Sequence, residues 1–251
     1  MKTKLHDIWN DGRGAVNGWL SAPNAVIAEV TGKAGFDSVT IDLQHGLNDY
    51  QAALSMLQAL AASDSTPMAR VPWLEPGIIM KLLDAGALGI ICPMVNTRAD
   101  AERLVRYANY APVGTRSFGP TRASLVYGAD YVAKANDTVI TLAMVETVEA
   151  LANVEAIATT PGLTGVYIGP ADLALSMGHV PKLDPDEPVV VEAVGRILAA
   201  CKGAGIRCGI HCLAPSYAKR MLGMGFDLVT LGSEIRIYSA ACASALAEAR
   251  G

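Results

Sequence analysis

The sequence predicts an α/β protein, a single (β/α)8 TIM barrel of parallel strands that spans residues 1–251. Eight short apolar runs recur at intervals of roughly 20 to 40 residues, and a segment with helical periodicity follows each run. Hydrophobic residues make up 51% of the chain but aromatic residues only 6%. The core must therefore consist mainly of Ala, Val, Leu and Ile, and α/β barrels commonly reach this length as one domain.

The apolar runs are predicted to be parallel strands. Their side chains are mostly apolar or β-branched, which is typical of strands buried on both faces of a sheet. The runs are residues 15–20, 38–43, 67–71, 88–95, 139–145, 165–168, 207–212 and 227–231.

The segments between the runs have apolar residues at i, i+3, i+4 and i+7, the spacing of a helix with one apolar face. Two such sets are Ala101, Leu104, Val105 and Ala108, and Val190, Val194, Ile197, Leu198 and Cys201. Glycine-containing turns follow several of these segments, because glycine adopts the left-handed conformation of a helix C-cap without steric cost. The turns are residues 35–37, 85–87, 203–205 and 223–225.

Eight strand-helix pairs either close into a barrel or form an open doubly wound sheet, and periodicity does not distinguish the two. The count of eight favours closure. A barrel builds its reactive face from the loops after the strands, so polar residues should concentrate there. Asp42 and His45 end or follow the second strand, Arg70 the third, Glu146 the fifth and Asp172 the sixth.

Glu146 and Asp172 follow adjacent strands, so we expect their carboxylates to lie a few ångströms apart. Two such carboxylates do not both stay ionised at low cost without a cation between them. Oxygen ligands suit a hard divalent ion such as Mg2+ or Mn2+. The alternative is that each carboxylate pairs with a surface lysine or caps a helix.

Gly169, Pro170 and Ala171 lead from the sixth strand into a helical segment. The backbone N–H groups of such a turn can receive the carboxylate of a small acid. The alternative is a tight turn that requires glycine for its backbone conformation alone.

Composition and charge exclude several classes of protein. The net charge of −4 provides no basic stripe for nucleic acid, and no apolar run approaches the roughly 20 residues that cross a membrane. We therefore expect a cytoplasmic protein that binds neither nucleic acid nor a membrane.

Five cysteines without a CxxC pair suggest buried thiols. A zinc site from Cys208, His211 and Cys212 is an alternative, although His211 and Cys212 should point to opposite faces of a strand.

A series of motifs at the strand and helix ends covers nearly the whole chain. They are Gly18-Trp19-Leu20, Asp42-x-x-His45, Arg70, Leu83-Asp84-x-Gly86, Pro93-Met94-Val95, Glu146-Thr147 and Gly169-Pro170-Ala171-Asp172-Leu173. In order and spacing they resemble the class II, metal-dependent pyruvate aldolase family typified by 4-hydroxy-2-oxoheptane-1,7-dioate aldolase, in the aldolase/citrate lyase superfamily.

The resemblance implies a carbon-carbon lyase. It would reversibly cleave a 4-hydroxy-2-oxo acid to an aldehyde and pyruvate, or a related 2-oxo acid, through a metal-bound enolate. Glu146 and Asp172 would hold the divalent ion, Mg2+ or Mn2+, with Co2+ or Zn2+ as alternatives. Residues 169–172 would bind the pyruvate carboxylate.

The same resemblance assigns roles to other side chains. Arg70 would contact the keto oxygen, Asp42 would orient a metal-bound water, and His45 would act as acid and base. Positive groups beside developing negative charge lower the barrier, which is consistent with these roles. Trp19 and Leu213, near the ends of the first and seventh strands, are predicted walls around the aldehyde, with a core position as the alternative for each.

The resemblance also joins His45 with Asp84, a carboxylate that favours the protonated imidazole. Asp84 ends a helix before the fourth strand, however, and should lie near the opposite rim of its own barrel. Either Asp84 is only a helix-end residue or it reaches His45 of a neighbouring subunit. The second interpretation implies a homo-oligomer, trimer-based like the family's hexamer.

Two features depart from the family or extend it. Gln44 and Met144 stand where Glu and Gln are frequent, and Met144 removes a polar contact to substrate, so substrate preference is expected to differ. Segment 112–136 resembles the family's long loop before the fifth strand, which would close a site or an oligomer contact. A Gly/Pro-rich surface loop is the alternative.

Three other functions are open to test. A class I aldolase needs a Schiff-base lysine at a strand end, but Lys33, Lys81, Lys202 and Lys219 fall on predicted helices, Lys134 before the fifth strand, Lys182 well beyond a strand end, and Lys2 and Lys4 in the tail. A coenzyme A ester lyase of citrate-lyase type is disfavoured by the absence of an evident basic groove. A non-catalytic barrel that binds a 2-oxo acid is the third alternative.

Overall fold

The computed structural model describes residues 2–251 and contains a closed barrel of eight parallel strands in chain order. Each strand pairs with its neighbours in sequence, and β1 pairs with β8 to close the ring. The strands are β1 (Ala15–Leu20), β2 (Ser38–Asp42), β3 (Thr66–Arg70), β4 (Gly89–Cys92), β5 (Ile140–Val145), β6 (Gly165–Ile168), β7 (Arg207–Cys212) and β8 (Leu228–Leu231). The predicted fold is confirmed.

Helices surround the barrel and connect its strands. They are α1 (Lys4–Asn10), α2 (Ala25–Lys33), α3 (Tyr50–Leu60), α4 (Pro76–Asp84), α5 (Arg98–Ala108), α6 (Thr121–Tyr127), α7 (Tyr131–Thr138), α8 (Val148–Ala152), α9 (Val154–Ala158), α10 (Pro170–Ser176), α11 (Pro188–Ala204), α12 (Pro215–Gly223) and α13 (Glu234–Arg250). The predicted apolar faces of α5 and α11 are buried.

Local sequence explains where these helices begin and end. Thr97 and Asp100 form a capping box at the start of α5, where each side chain accepts a hydrogen bond from the other residue's backbone N–H. Gly205 follows α11 with φ of +70°, a left-handed conformation that favours glycine. The predicted turn at residues 203–205 is therefore confirmed.

The fourth strand is shorter than predicted. Residues 88–95 were expected to be extended, whereas β4 ends at Cys92. Pro93 cannot donate to a strand ladder, and Met94 adopts φ of +54°. The chain therefore bends away from the barrel at this point, and the bend aims the Met94 N–H at the rim.

The barrel encloses an inner core that α1 closes at its amino-terminal end. Leu5, Ile8 and Trp9 are buried with side chains from the barrel interior, and the indole N–H of Trp9 donates to the Asp227 carbonyl at 2.8 Å. Lys4 was expected to lie in a tail, but it begins this helix. The tail assignment is wrong because the apolar side chains that follow Lys4 plug the barrel.

Segment 112–136 is not a plain loop. It contains α6 and most of α7, and it packs against the amino-terminal end of the barrel. The Tyr127 hydroxyl donates to the Gly86 carbonyl at 2.6 Å, and Arg122 donates to the Ala85 carbonyl. Within its own chain, this segment covers the rim opposite the predicted site.

The cysteines form no disulfide. Cys92, Cys201, Cys208 and Cys212 are buried as predicted, but Cys242 is exposed on α13. Across residues 2–251, the helices do not include one that is both long and apolar enough to cross a membrane.

Gly209 of β7 makes room for the ring of Tyr167 inside the barrel. A Cβ at this position would lie 2.9 Å from Tyr167 Cδ2 and 3.3 Å from Leu228 Cβ. Tyr167 is fully buried, so its ring has little freedom to move. The glycine is therefore a packing requirement rather than a turn residue.

We predict that Gly209→Ala lowers the thermal unfolding midpoint, because overpacking a core usually costs about 1–3 kcal/mol. The matched control is Gly195→Ala in α11, where an added Cβ meets no atom within 4 Å. That change should stabilise the helix by about 0.5–1 kcal/mol. Differential scanning calorimetry measures both midpoints, and an unchanged midpoint in Gly209→Ala would contradict the packing argument.

Candidate active site

A cavity of about 260 Å³ opens at the carboxyl ends of the strands, where a barrel carries its reactive groups. Seven residues of the predicted site line it: Trp19, His45, Arg70, Gly169, Pro170, Ala171 and Asp172. The other lining residues are Ser21, Met144, Leu183, His211, Ser233 and Arg236. Of the predicted polar rim, His45, Arg70 and Asp172 line this cavity. Asp42 and Glu146 are not among its lining residues; Asp42 is bound to Arg70, and Glu146 lies against Gly169.

Arg70 and Asp42 form a buried ion pair at the rim. They are register partners at the ends of β3 and β2. Arg70 Nε donates to Asp42 Oδ1 at 2.8 Å and Nη2 donates to Oδ2 at 2.6 Å. Arg70 Cζ also lies 4.8 Å from the centre of the Trp19 ring, whose N–H donates to Asp42 Oδ2 at 3.3 Å. These contacts fix the plane of the guanidinium.

Asp42 stays ionised in this setting. Burial alone would raise its pKa, but the hydrogen bonds and charge of Arg70, with the backbone N–H groups of Gln44 and His45, hold the pKa below its usual value. Nη1 of Arg70 has no hydrogen-bond partner within residues 2–251. Because Arg70 lines the cavity, this nitrogen is available to an oxygen atom of a bound substrate.

Glu146 follows β5 and is only 2% exposed. Its Oε1 accepts a hydrogen bond from the Met94 N–H at 2.8 Å, which the bend after β4 presents. Burial raises the pKa of Glu146 to about 7; the Met94 N–H opposes this shift and the Asp172 carboxylate adds to it. The positive charge of Arg70 also lowers this pKa but only partly offsets the effect of burial.

The surroundings of Glu146 fit a hard divalent cation. A Cβ at Gly169 would lie 2.3 Å from Glu146 Oε2, so glycine keeps the space beside this oxygen open. Residues 2–251 contain no group of three or more His, Cys, Asp and Glu side chains with metal-binding geometry. Glu146 and Asp172 alone suit Mg2+ or a similar ion, which usually keeps water or substrate oxygens as its other ligands.

The zinc alternative does not fit the structure. Cys208 and Cys212 are buried in the layer between strands and helices, whereas His211 lines the cavity inside the barrel. The two cysteines therefore face away from the histidine, as strand alternation predicts.

Residues 169–172 form the start of α10. Gly169 is its N-cap and accepts the Leu173 N–H through its carbonyl at 3.0 Å. The N–H groups of Ala171 and Asp172 lie in the first turn, where a helix has no internal acceptors. With Pro170 contributing no donor, these two N–H groups at the cavity wall can receive an anionic oxygen.

His45 projects from the loop after β2. Its own N–H and that of Gln44 donate to Asp42 Oδ1 at 3.3 and 3.0 Å, which anchors the loop to the ion pair. The imidazole is exposed, and among residues 2–251 it has no hydrogen-bond partner. It can therefore exchange a proton with a ligand in the cavity.

Asp84 and Leu213 lie outside the cavity. Asp84 ends α4, and its Oδ1 accepts from Arg116 Nη2 at 2.7 Å, so within one chain its partner is Arg116 and not His45. The Arg116 side chain is fully buried.

Leu213 is 44% exposed because β7 ends one residue earlier, and its N–H donates to Asp184 Oδ1 at 2.7 Å. The geometry does not support Leu213 as a wall.

The two departures from the family have different surroundings. Met144 lines the cavity and is almost fully buried, so that part of the wall is apolar. Gln44 does not line the cavity, and its amide oxygen is buried without a hydrogen-bond partner. Met144 is thus the substitution that alters the cavity surface.

Sequence reasoning missed His211 and Arg236 at this site. His211 precedes the last residue of β7, and the inward alternation of Gly209 and His211 could have indicated its position. Arg236 lies near the start of α13, and no spacing pattern in the sequence indicates that this helix reaches the cavity.

Known proteins resemble this chain over most of its length. The family model described as HpcH/HpaI aldolase/citrate lyase matches residues 17–241. This chain belongs to that family. A hydroxypyruvate/pyruvate aldolase from Rhizorhabdus wittichii is 45% identical to it over 247 residues, which cover 98% of each chain. A 5-keto-4-deoxy-D-glucarate aldolase from Citrobacter koseri is 35% identical and covers 89% of this chain and 87% of its own.

A solved structure supports the same assignment. The crystal structure of an HpcH/HpaI aldolase/citrate lyase family protein from Burkholderia cenocepacia superposes with a TM-score of 0.93 at 33% identity, covering 100% of both chains. The resemblance found in the sequence is confirmed, and the protein is an aldolase.

We predict that Glu146→Gln stabilises the metal-free aldolase above about pH 7. In the unfolded chain this carboxyl ionises near the usual glutamate pKa of 4.5, whereas in the folded chain it keeps its proton up to a pKa of about 7. Wild-type stability should therefore fall as pH rises through this interval. The difference is on the order of 3 kcal/mol, at about 1.4 kcal/mol per pKa unit.

Thermal unfolding between about pH 4 and pH 8, with and without Mg2+ or Mn2+, measures this difference. The two proteins should have similar midpoints at the acidic end, and added ion should raise the midpoint of the wild type only. Parallel pH profiles for both proteins would show that Glu146 is not the incompletely compensated group.

Proposed function

We propose that this aldolase cleaves 4-hydroxy-2-oxo acids to an aldehyde and a small 2-oxo acid, pyruvate or hydroxypyruvate, and also catalyses the reverse addition. The proposal depends on one observation: Arg70, Asp172 and His45 line one small cavity, and Glu146 lies against Gly169 in its wall. The relative from Rhizorhabdus wittichii is named a hydroxypyruvate/pyruvate aldolase, and this name supports the choice of these two 2-oxo acids.

The chain's own groups bind the 2-oxo acid by charge and hydrogen bonding. The first-turn N–H groups of Ala171 and Asp172 receive the carboxylate of the substrate. Nη1 of Arg70 donates to the 2-oxo oxygen, while Asp42 keeps the guanidinium in place. Because the ion pair is already formed, little reorganisation is needed when negative charge develops on that oxygen.

The proposed reaction is a proton transfer coupled to cleavage of a carbon-carbon bond. His45 takes the proton from the hydroxyl on carbon 4, and the bond between carbons 3 and 4 breaks as the aldehyde carbonyl forms. The bonding electron pair passes into the 2-oxo group as an enolate, which Arg70 stabilises. Protonated His45 then returns its proton to carbon 3, directly or through water, which gives the 2-oxo acid and restores the neutral imidazole.

A divalent ion, Mg2+ or Mn2+ with Co2+ or Zn2+ as alternatives, would supply additional positive charge at the 2-oxo oxygen when held by Glu146 and Asp172. Glu146 suits this role because its charge is only partly compensated by Arg70 and because Gly169 leaves open space beside it.

The structure disfavours a Schiff-base mechanism. The lining of the cavity includes no lysine. Lys33, Lys81, Lys134, Lys202 and Lys219 lie on helices around the barrel, and Lys182 is paired with Asp186 and Glu187. A covalent imine therefore has no nucleophile within reach of the proposed substrate position.

The test is pyruvate release from a 4-hydroxy-2-oxo acid before and after chelation. EDTA should abolish turnover, and Mg2+ or Mn2+ should restore it. Sodium borohydride with pyruvate should leave the restored activity unchanged, since no imine forms. Turnover that persists after exhaustive chelation, or a reduced pyruvate-lysine adduct found by mass spectrometry, would contradict the proposed chemistry.

We also propose that the active form is a homo-oligomer, trimer-based and most simply a hexamer. None of the side chains of α13 is buried, although Ile235, Ile237, Tyr238 and Leu246 are large and apolar. An apolar groove of about 530 Å³ lies between α13 and α2. Surfaces of this kind usually mark contacts between protein molecules, and a second copy of this chain would cover them.

The oligomer would also bring Asp84 to a site. Asp84 lies at the rim opposite His45 in its own chain and is held by Arg116. Reaching a neighbouring subunit's His45 would let its carboxylate favour the protonated imidazole there. This arrangement makes each active site depend on two chains.

Subunit mixing tests the shared site. His45→Ala and Asp84→Ala proteins should each be weakly active, and unfolding them together and reassembling them should restore part of the activity. Some mixed sites would then combine an intact His45 with an intact Asp84. The control is wild-type protein taken through the same cycle. If the control recovers while the mixture gains nothing, Asp84 does not act across subunits.

A further inference from the structure

His211 lies in the active-site cavity but has no role in the proposed reaction. It belongs to β7 (Arg207–Cys212), and its side chain lines the cavity beside Trp19 and Arg236. β7 is adjacent to β6, whose end leads into residues 169–172. A group at this position therefore lies next to the proposed binding place of the 2-oxo acid.

Neighbouring rings fix the orientation of the His211 imidazole. Its Nδ1 lies 3.2 Å from the Tyr167 hydroxyl. It meets the Trp19 ring edge-on, with centroids 4.8 Å apart and an interplanar angle of 89°. Both partners are almost fully buried. The imidazole is thus held in one position before substrate binds.

A hydrogen-bond network inside the barrel determines which ring nitrogen is free. The Tyr167 hydroxyl donates to Thr230 Oγ1 at 2.6 Å, and Asn17 Nδ2 donates to the same oxygen at 2.9 Å. Since the Tyr167 proton is directed to Thr230, the Tyr167 oxygen accepts from Nδ1–H of His211. Nε2 is left as an acceptor, and within residues 2–251 it has no hydrogen-bond partner.

The imidazole of His211 is neutral at physiological pH. Burial, followed by the positive charge of Arg70, lowers its pKa to about 3. A neutral imidazole whose Nδ1–H is bound to Tyr167 presents Nε2 to the cavity side as a hydrogen-bond acceptor. An acceptor in a small cavity favours a ligand that supplies a donor, because leaving it unpaired on binding costs free energy.

We propose that His211 is a specificity-determining residue that accepts a hydrogen bond from a substrate hydroxyl group. The inference rests on the proposed function and deepens it. It assigns this aldolase a preference for a hydroxylated partner over the corresponding deoxy compound. The hydroxyl belongs either to the 2-oxo acid, at carbon 3, or to the aldehyde, at the carbon next to its carbonyl. Met144, on β5, contributes an apolar part of the same cavity wall.

The test uses two matched pairs of substrates in the addition direction. The 2-oxo acid is pyruvate or hydroxypyruvate, and the aldehyde is acetaldehyde or glycolaldehyde. For each pair, the ratio of kcat/KM for the hydroxylated and deoxy compounds measures the preference. The variants are His211→Phe, which keeps a ring against Trp19, and His211→Asn, which keeps an acceptor. His6→Leu on α1 (Lys4–Asn10) is the control at the opposite rim.

We expect the wild type to prefer the hydroxylated compound in at least one pair. His211→Phe should reduce that ratio about tenfold, the scale of one lost hydrogen bond with an unpaired partner. His211→Asn should recover part of the ratio, and His6→Leu should keep it. The pair that responds identifies which substrate carries the hydroxyl.

Two results would overturn the inference: a wild-type enzyme without preference in either pair, or ratios in His211→Phe that stay within about twofold of the wild type. If His211→Phe does not fold, His211→Leu provides the same comparison with a smaller side chain. If no substrate combination gives an aldol product even with the ion present, the proposed function fails, and that outcome is distinct from an unchanged ratio.

Discussion

The buried pair of Arg70 and Asp42 is the constraint on which the rest of the active site depends. The two residues are register partners at the ends of β3 and β2, so their contact exists only if the barrel strands pair as they do. A slip of one residue in either strand would turn that strand's side chain to the other face of the sheet and separate the pair. Loss of either partner would leave the other charge buried and uncompensated. The same contacts anchor Trp19 and the loop that carries His45.

Two buried carboxylates of this rim have opposite electrostatic surroundings, which separates their roles. Asp42 is paired with a guanidinium, and its pKa is held low. Glu146 has one backbone hydrogen bond and a neighbouring carboxylate, and its pKa is raised to about 7. Asp42 orients a cationic side chain, whereas the charge of Glu146 is only partly compensated and can bind a cation. Electrostatic preorganisation of this kind is a main source of enzymatic rate enhancement.

Much of the fold and rim could be predicted from the sequence because strand ends fix the position of a side chain around a barrel. The alternation of apolar runs with helical segments was sufficient for all eight strands, and Glu146 and Arg70 followed from them. The sequence did not predict α1, which closes the amino-terminal end of the barrel, or the helices of segment 112–136, because their burial depends on distant parts of the chain. Leu213 was predicted to line the cavity but is exposed, because its backbone N–H is bound by Asp184, a contact between distant residues that spacing in the sequence does not indicate.

In the proposed mechanism, Glu146, Asp172 and Arg70 together stabilise an enolate of a 2-oxo acid. The most direct test of enolate formation is the exchange of the pyruvate methyl protons in deuterated water. Proton NMR monitors this exchange in the presence of enzyme and the absence of aldehyde. We predict exchange that requires Mg2+, stops on chelation, and is roughly 100-fold slower in Arg70→Ala, the scale of removing one oxyanion donor. Exchange at an unchanged rate after exhaustive chelation, or in Arg70→Ala, would contradict this mechanism.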